Sequence, residues 1–242
     1  MKNIIKILIN RTPLRLSHIG NYIRRLYFWR SVKILPIKNF KKILDADCGE
    51  GHYARKMALR FPWAQVIGMD IKPQDFKDSG LSNLSFIQED LRELKEKDAY
   101  DFIYSIDVLE HIPKNEEVIT NFFQALKKGG YLYLHVPYDV RRRHFFPEKY
   151  FVEFDKWKTD EHKGEQYSLE RMSSVIRQAG FEIVKAEHTF GSIGMLAWEL
   201  DRVTDKKIVL KGILMPILKL LGQISVRIKH KSGNILLLAR KK

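Results

Sequence analysis

The chain has 242 residues, of which 45% are hydrophobic and 12% aromatic, and its formal net charge is +14. This length suits one large α/β domain with attachments. The apolar content excludes a low-complexity disordered chain, and a single cysteine, Cys48, excludes an internal disulfide framework or a multi-cysteine metal site and fits a reducing compartment.

The charge is segregated. Residues 1–42 hold eleven Lys/Arg and residues 206–242 hold ten, neither stretch with any Asp or Glu. The stretch between them carries 22 basic against 29 acidic residues, so a mildly acidic body has two basic ends. Residues 1–41 read as a basic apolar helical extension. Their IIKILI run is too short for a secretory core and lacks a small-residue cleavage site.

From Lys42 the pattern changes to alternating strands and helices, and residues 42–242 read as one domain. KKILDAD, QVIGMD, LSFIQED, YDFIYSID and YLYLHVP are short apolar runs without strict alternation, as expected of strands buried on both faces. HYARKMALRF and a segment from about Asn115 to Leu126 have helical spacing, and a Gly129–Gly130 turn precedes the fifth strand. Strands separated by helices imply right-handed crossovers and a parallel sheet.

Residues 138–167 break this rhythm with polar, aromatic and basic residues, as a lid or substrate insertion would. Arg141 to His144 suit an anionic group, and Tyr138, Arg141, His144 and Tyr167 are the candidate substrate contacts. SLERMSSVIRQAG reads as a helix with Ser168 as N-cap and Gly180 at its end. FEIVKAEHTF is a strand, 193–203 a helix, 206–231 a basic apolar helical segment, and GNILLLARK the last strand. The run Ile208 to Leu221 is broken by Lys211, Gly212, Pro216 and Lys219 and reads as too short to span a membrane. Cations interleaved with apolar residues at both ends suit helices packed on the body, an anionic membrane surface, or nucleic acid.

The chemistry concentrates at strand ends. ILDADCGEG is a strand, a glycine turn and a helix start, where backbone N–H groups can meet a phosphate or nucleotide. Gly49 to Ala54 also fits a dinucleotide pattern, which leaves a dehydrogenase open at this point. Asp70 ends the second strand, where a carboxylate accepts both ribose hydroxyls. Asp45, Glu89-Asp90 and Asp107 place further acids at strands one, three and four, where a dehydrogenase has no use for them.

Together, ILDADCGEG, YDFIYSIDVLEHIP and LKKGGYLYLHVP resemble the ordered motifs of class I S-adenosylmethionine (SAM)-dependent methyltransferases of the methyltransferase-11 type, the group that includes quinone-biosynthesis methylases. The resemblance covers about residues 40–190 and the last strand. It implies a doubly wound, mostly parallel seven-stranded α/β sheet with SAM as cofactor. It places Asp45, Asp47, Gly49 and Gly51 along the methionine and ribose side, and Asp70 with Ile71 at the ribose. Asp90 with Leu91 fall at the adenine, and Asp107 at the methionine end and acceptor pocket. Asp47 stands where the family has its first loop glycine, and Lys128 where it has a proline.

His111 and His162 are the candidate general bases, while His135, inside a strand, reads as a core residue. No metal-ligand cluster is visible, so none is expected. The expected activity is methyl transfer, on oxygen or carbon, to a small-molecule or lipid-linked acceptor in the cytoplasm, with peripheral contact to an anionic membrane. The alternatives are a degenerate fold acting as a binding protein, which Asp47 would favour, and an RNA methyltransferase. The latter lacks the Asn/Asp-Pro-Pro-Tyr/Phe motif after strand four.

Overall fold

The computed structural model describes residues 18–72, 80–138 and 145–242. Seven strands form one sheet: β1 (Lys42–Ala46), β2 (Gln65–Asp70), β3 (Leu84–Gln88), β4 (Tyr100–Ile106), β5 (Leu126–Val136), β6 (Phe181–Thr189) and β7 (Asn234–Lys241). Their order is β3-β2-β1-β4-β5-β7-β6. Strands β3 to β5 run parallel, and β7 enters antiparallel to β5 with Leu134 opposite Leu237. Parallel strands put all their C-terminal ends on one edge, and the order reverses between β1 and β4, the crevice where such sheets take ligands. The expected doubly wound seven-stranded fold is what the chain adopts.

The helices between these strands are α2 (His52–Arg60), α3 (Asn115–Ala125) and α5 (Leu169–Gln178). Ser168 caps α5, its Oγ accepting from Arg171 N at 3.1 Å, as its sequence position suggested. On one face of the sheet Leu44, Ile103, Leu134 and Leu237 pack with Val118, Phe122 and Ile176 of α3 and α5. The stretch Lys127–Gly130 departs from expectation. It is drawn into β5 rather than forming a separate turn, and the β4–β5 register shifts between Tyr100 and Phe102 to absorb it.

By contacts the residues fall into two compact units. One comprises 35–138, 161–187 and 235–242 and holds the sheet; the other comprises 1–34, 139–160 and 188–234. Within the second unit are α1 (Ile19–Val32), most of α4 (Val152–Glu161), α6 (Gly191–Val203) and α7 (Ile208–Arg227). Helices α1, α6 and α7 pack on one another. Gly222 of α7 sits so close to α1 that an added Cβ would lie 2.9 Å from Ile23 Cγ1.

Lys211, which interrupts the apolar run 208–221 in the sequence, does not break the helix. The residue is buried, its Nζ lying 3.0 Å from Asp201 Oδ1 and 2.6 Å from Asp205 Oδ1. Helix α7 runs unbroken for 20 residues through Pro216, long and apolar enough by length and composition to cross a membrane. The expectation that this stretch is too short is corrected to that extent.

Candidate functional site

The loop between β1 and α2 is shaped by left-handed backbone. Asp47, Gly49 and Gly51 have φ of 63°, 51° and 71°. At Gly51 an added Cβ would meet Phe86 Cε1 at 2.6 Å, so glycine is required there by space as well as by φ. At Gly49 an added Cβ would meet nothing within 4 Å, so the loop is open on that side. Asp70 fixes the loop to the tip of β2. Its Oδ2 accepts from Gly49 N and its Oδ1 from Lys72 N, each at 2.8 Å. Cys48 N donates to Met69 O at 2.8 Å, and Glu89 N to Asp70 O at 3.1 Å, which ties the tip of β3 to that of β2.

Three carboxyls converge here. Asp45 is buried, and its Oδ2 has no hydrogen-bond partner. Its pKa is raised from 3.8 to about 8, chiefly by burial; hydrogen bonds from Tyr104 and the Ala54 N–H lower it, and the charges of Asp47 and Asp70 add to the rise. Asp47 is raised to about 6, first by burial and then by the charge of Asp70 and a hydrogen bond between the two carboxyls, with Lys72 opposing. The loop therefore carries less negative charge at neutral pH than its three acids suggest.

At the tip of β3, Asp90 is tied to its own turn. Its Oδ1 accepts from Arg92 N at 2.9 Å and its Oδ2 from Arg92 Nη2 at 2.6 Å, and this pairing lowers its pKa. Leu91 is buried, while Ile71, next to Asp70, is 49% exposed. At the tip of β4, Asp107 adopts φ 56°. Its N–H donates to His135 O at 2.8 Å and its Oδ1 lies 2.7 Å from His135 Nδ1. His135 is fully buried, as expected of a core residue, but it also holds Asp107 in place.

His111 and His162, distant in sequence, meet edge to face with ring centroids 4.9 Å apart. His111 Nδ1 lies 3.1 Å from Glu161 O. A carbonyl can only accept, so Nδ1 carries the proton and Nε2 is left with its lone pair in the neutral ring. The loop that carries His162 is held by Gly164 N donating to Glu110 O at 2.8 Å and by Asn115 Nδ2 donating to Glu165 O at 3.2 Å. One ligand atom each from Glu110, His111 and His162 lies within 4.8 Å of the others, an arrangement able to hold a metal ion. The expectation that no metal-ligand cluster exists is corrected on this point. The separation of Glu110 and His111 from His162 along the chain hides the cluster from any spacing rule.

Of the four candidate substrate contacts, Arg141 and His144 lie outside the described residues. Tyr138 is half-buried at the end of β5 and packs against the core. Tyr167 is buried, and its hydroxyl donates to Asn115 Oδ1, so it braces the loop below His162. Arg92 carries no local signal that separates it from a surface residue, while Tyr104 and Glu110 lie inside the motif YDFIYSIDVLEHIP, where the partners that matter are set by the fold rather than by spacing.

Residues 20–186 match the family described as a methyltransferase domain, a match that begins within α1. Among curated relatives, a trans-aconitate 2-methyltransferase of Deinococcus radiodurans is 31% identical over 107 residues, 43% of this chain and 41% of that protein. An Escherichia coli trans-aconitate 2-methyltransferase is 27% identical over 105 residues, 43% of this chain and 42% of that protein. The chain thus spans less than half the length of the curated relatives it matches. Two solved structures share the fold. One is a Haemonchus contortus phosphoethanolamine N-methyltransferase 2 in complex with S-adenosyl-L-methionine, at TM-score 0.61 and 17% identity over 98% of this chain and 59% of that one. The other is a SAM-dependent methyltransferase from Mesorhizobium loti, at TM-score 0.57 and 18% identity over 89% of this chain and 98% of that one.

Proposed function

Since the chain belongs to the methyltransferase-domain family, we propose that it transfers a methyl group from SAM to a small-molecule or lipid-linked acceptor. The observation that carries this reading is the strand-tip loop. Gly49 is open on its free side, Asp70 holds the loop on the tip of β2, and Asp45 Oδ2 is a buried polar atom without a partner. The donor set fits SAM.

In this reading the glycine turn and Asp45 receive the methionine side of the cofactor. Asp70 accepts one backbone N–H on each oxygen and shares a hydrogen bond with Asp47, which leaves it one further lone pair for a ribose hydroxyl. Ile71 offers an exposed apolar surface for the base beside Asp90 and Leu91. When bound, SAM supplies a methyl carbon already activated by its sulfonium. The chain's own work is then alignment and exclusion of water, where positioning alone can contribute up to about 7–11 kcal/mol. His111, with Nδ1 held by Glu161 O, keeps Nε2 able to accept the acceptor's proton, and His162 packs against its ring.

The relatives' named acceptor, trans-aconitate, is a small polycarboxylate. The shared stretch is short, so the acceptor class is read from this chain. The basic, apolar segments that flank its domain favour a hydrophobic or lipid-linked acceptor. Calorimetric titration with SAM, followed by transfer of a labelled methyl to lipid and small-acid fractions, tests the proposal. Absence of SAM binding by the wild type would overturn it. One observation favours a second reading, a fold that binds without transferring: Asp47 occupies the left-handed position of the family's glycine. Binding of SAM by Asp47→Gly alone would favour that reading.

A further inference from the structure

Helix α7 has two apolar faces, and among the described residues only one is covered. Lys211, Met215, Leu218, Gly222, Ser225 and Val226 face inward. On the opposite side Val209, Ile213, Ile217, Leu220 and Ile224 are 66%, 66%, 54%, 56% and 37% exposed. Their spacing of four, four, three and four residues lines them up in one stripe about 22 Å long. Ile228, 43% exposed, lies just beyond the helix end. Isolated exposed aliphatics are ordinary, whereas a contiguous stripe of this length marks a contact surface.

The chemistry around the stripe identifies the contact. Residues 206–242 contain no acid, and Lys219, Arg227, Lys229 and Lys231 lie along or just beyond the helix. On its flank a groove of about 630 Å³ is lined by Leu26 and Arg30 of α1 and by Gln223, Val226 and Arg227 of α7; Arg30 is held there by donating to Val226 O and lying over the Tyr27 ring, and Arg227 is the second cation of the lining.

We propose that α7 is an in-plane membrane helix: its outward stripe enters the acyl boundary of an anionic bilayer leaflet, and the Arg30–Arg227 groove receives a lipid phosphate. An apolar stripe flanked by cations is the arrangement such helices use. A second copy of the chain fits worse, because apposed α7 helices would bring cation against cation with no acid between them. A spanning helix fits worse as well. Lys211 is paired with buried Asp201, Ser225 Oγ donates to Phe190 O at 2.6 Å, and Tyr27 OH donates to Ser225 O at 3.2 Å. Insertion across a bilayer would strip a buried charge of its partner.

The inference stands on α7 and its groove with α1, whatever the chain methylates. It is tested by sedimentation of the full chain with vesicles of phosphatidylglycerol and phosphatidylcholine in equal parts, against phosphatidylcholine alone. Expected are binding to the anionic vesicles only and release by high salt and by alkaline carbonate. Partitioning should drop at least about tenfold for Ile217→Gln/Leu220→Gln and about fivefold for Arg227→Gln. The substituted positions are exposed, so circular dichroism, melting temperature and SAM titration should match wild type and separate loss of docking from loss of fold or of cofactor binding. Any of four results overturns the inference: no vesicle binding, binding unchanged by the stripe substitutions, retention after carbonate, or a wild-type dimer dissociated by Ile217→Gln/Leu220→Gln. Unchanged binding by Arg227→Gln overturns the phosphate groove.

Discussion

Replacing Asp47 by glycine separates backbone strain from charge in the loop between β1 and α2. Asp47 has φ 63°, a conformation that costs L residues about 1–2 kcal/mol, with Asp at the low end. Glycine removes that strain but loses about 0.5–1 kcal/mol of conformational entropy on folding, so the backbone contributions nearly cancel. Charge remains. Burial and the neighbouring Asp70 carboxyl raise the Asp47 pKa from 3.8 to about 6. A shift of that size corresponds to about 3 kcal/mol, reduced to about 2 by solvent screening. The folded pKa lies above the unfolded one, so the contribution of Asp47 to stability is intact below the unfolded pKa and is lost as pH rises through about 6. Asp47→Gly should therefore have almost no effect on stability near about pH 4 and raise it by about 2 kcal/mol at about pH 7.5. Urea unfolding at both pH values measures this through the midpoint at constant slope. An equal gain at both would show that the Asp47 charge is not felt by Asp70, and the account of a shared acid pair would fail. In titrations near neutral pH, the same variant should also lose preference for SAM over S-adenosylhomocysteine, since the sulfonium charge is the chief difference between them.

Asp70→Ala removes the acceptor of both Gly49 N and Lys72 N; unfolding stability should fall by about 2–4 kcal/mol, and calorimetry should find no SAM binding. Asp45, raised to about 8, makes stability decline from about pH 4 to about pH 8. Asp45→Asn should flatten that decline in thermal melts across the range while weakening SAM binding. His111→Gln should leave SAM affinity within twofold of wild type and reduce methyl transfer by about 10²–10⁴; single-turnover assays with a labelled methyl separate the two. Among the described residues, Lys211→Met leaves the Asp201 carboxylate with His18 and the Ile19 N–H. Removing one partner of a buried pair costs about 3–5 kcal/mol, which should appear as a lower melting temperature, whereas Lys219→Met should be near neutral.

The strands were legible because parallel strands buried on both faces leave short apolar runs in the sequence, and the loop was legible because glycines are needed where φ is positive. What a motif fixes is a backbone path. It does not fix which partner a charged side chain finds, because that depends on residues brought together by the fold. Lys211 interrupts an apolar run in the sequence, yet it turns inward onto Asp201 and leaves α7 whole. Asp90 stands at the expected strand tip, but Arg92, two residues on, already holds its carboxylate. His111 and His162 could each be proposed alone, while their meeting beside Glu110 depends on Gly164 and Asn115 pinning a loop from elsewhere in the chain. Asp47 combines both kinds of information. Its position in the motif announces the left-handed turn it adopts, and its contact with Asp70, some twenty residues away, decides its charge. The departure from the family's glycine is thus tolerated by the backbone, and its consequence falls on the electrostatics of the cofactor loop.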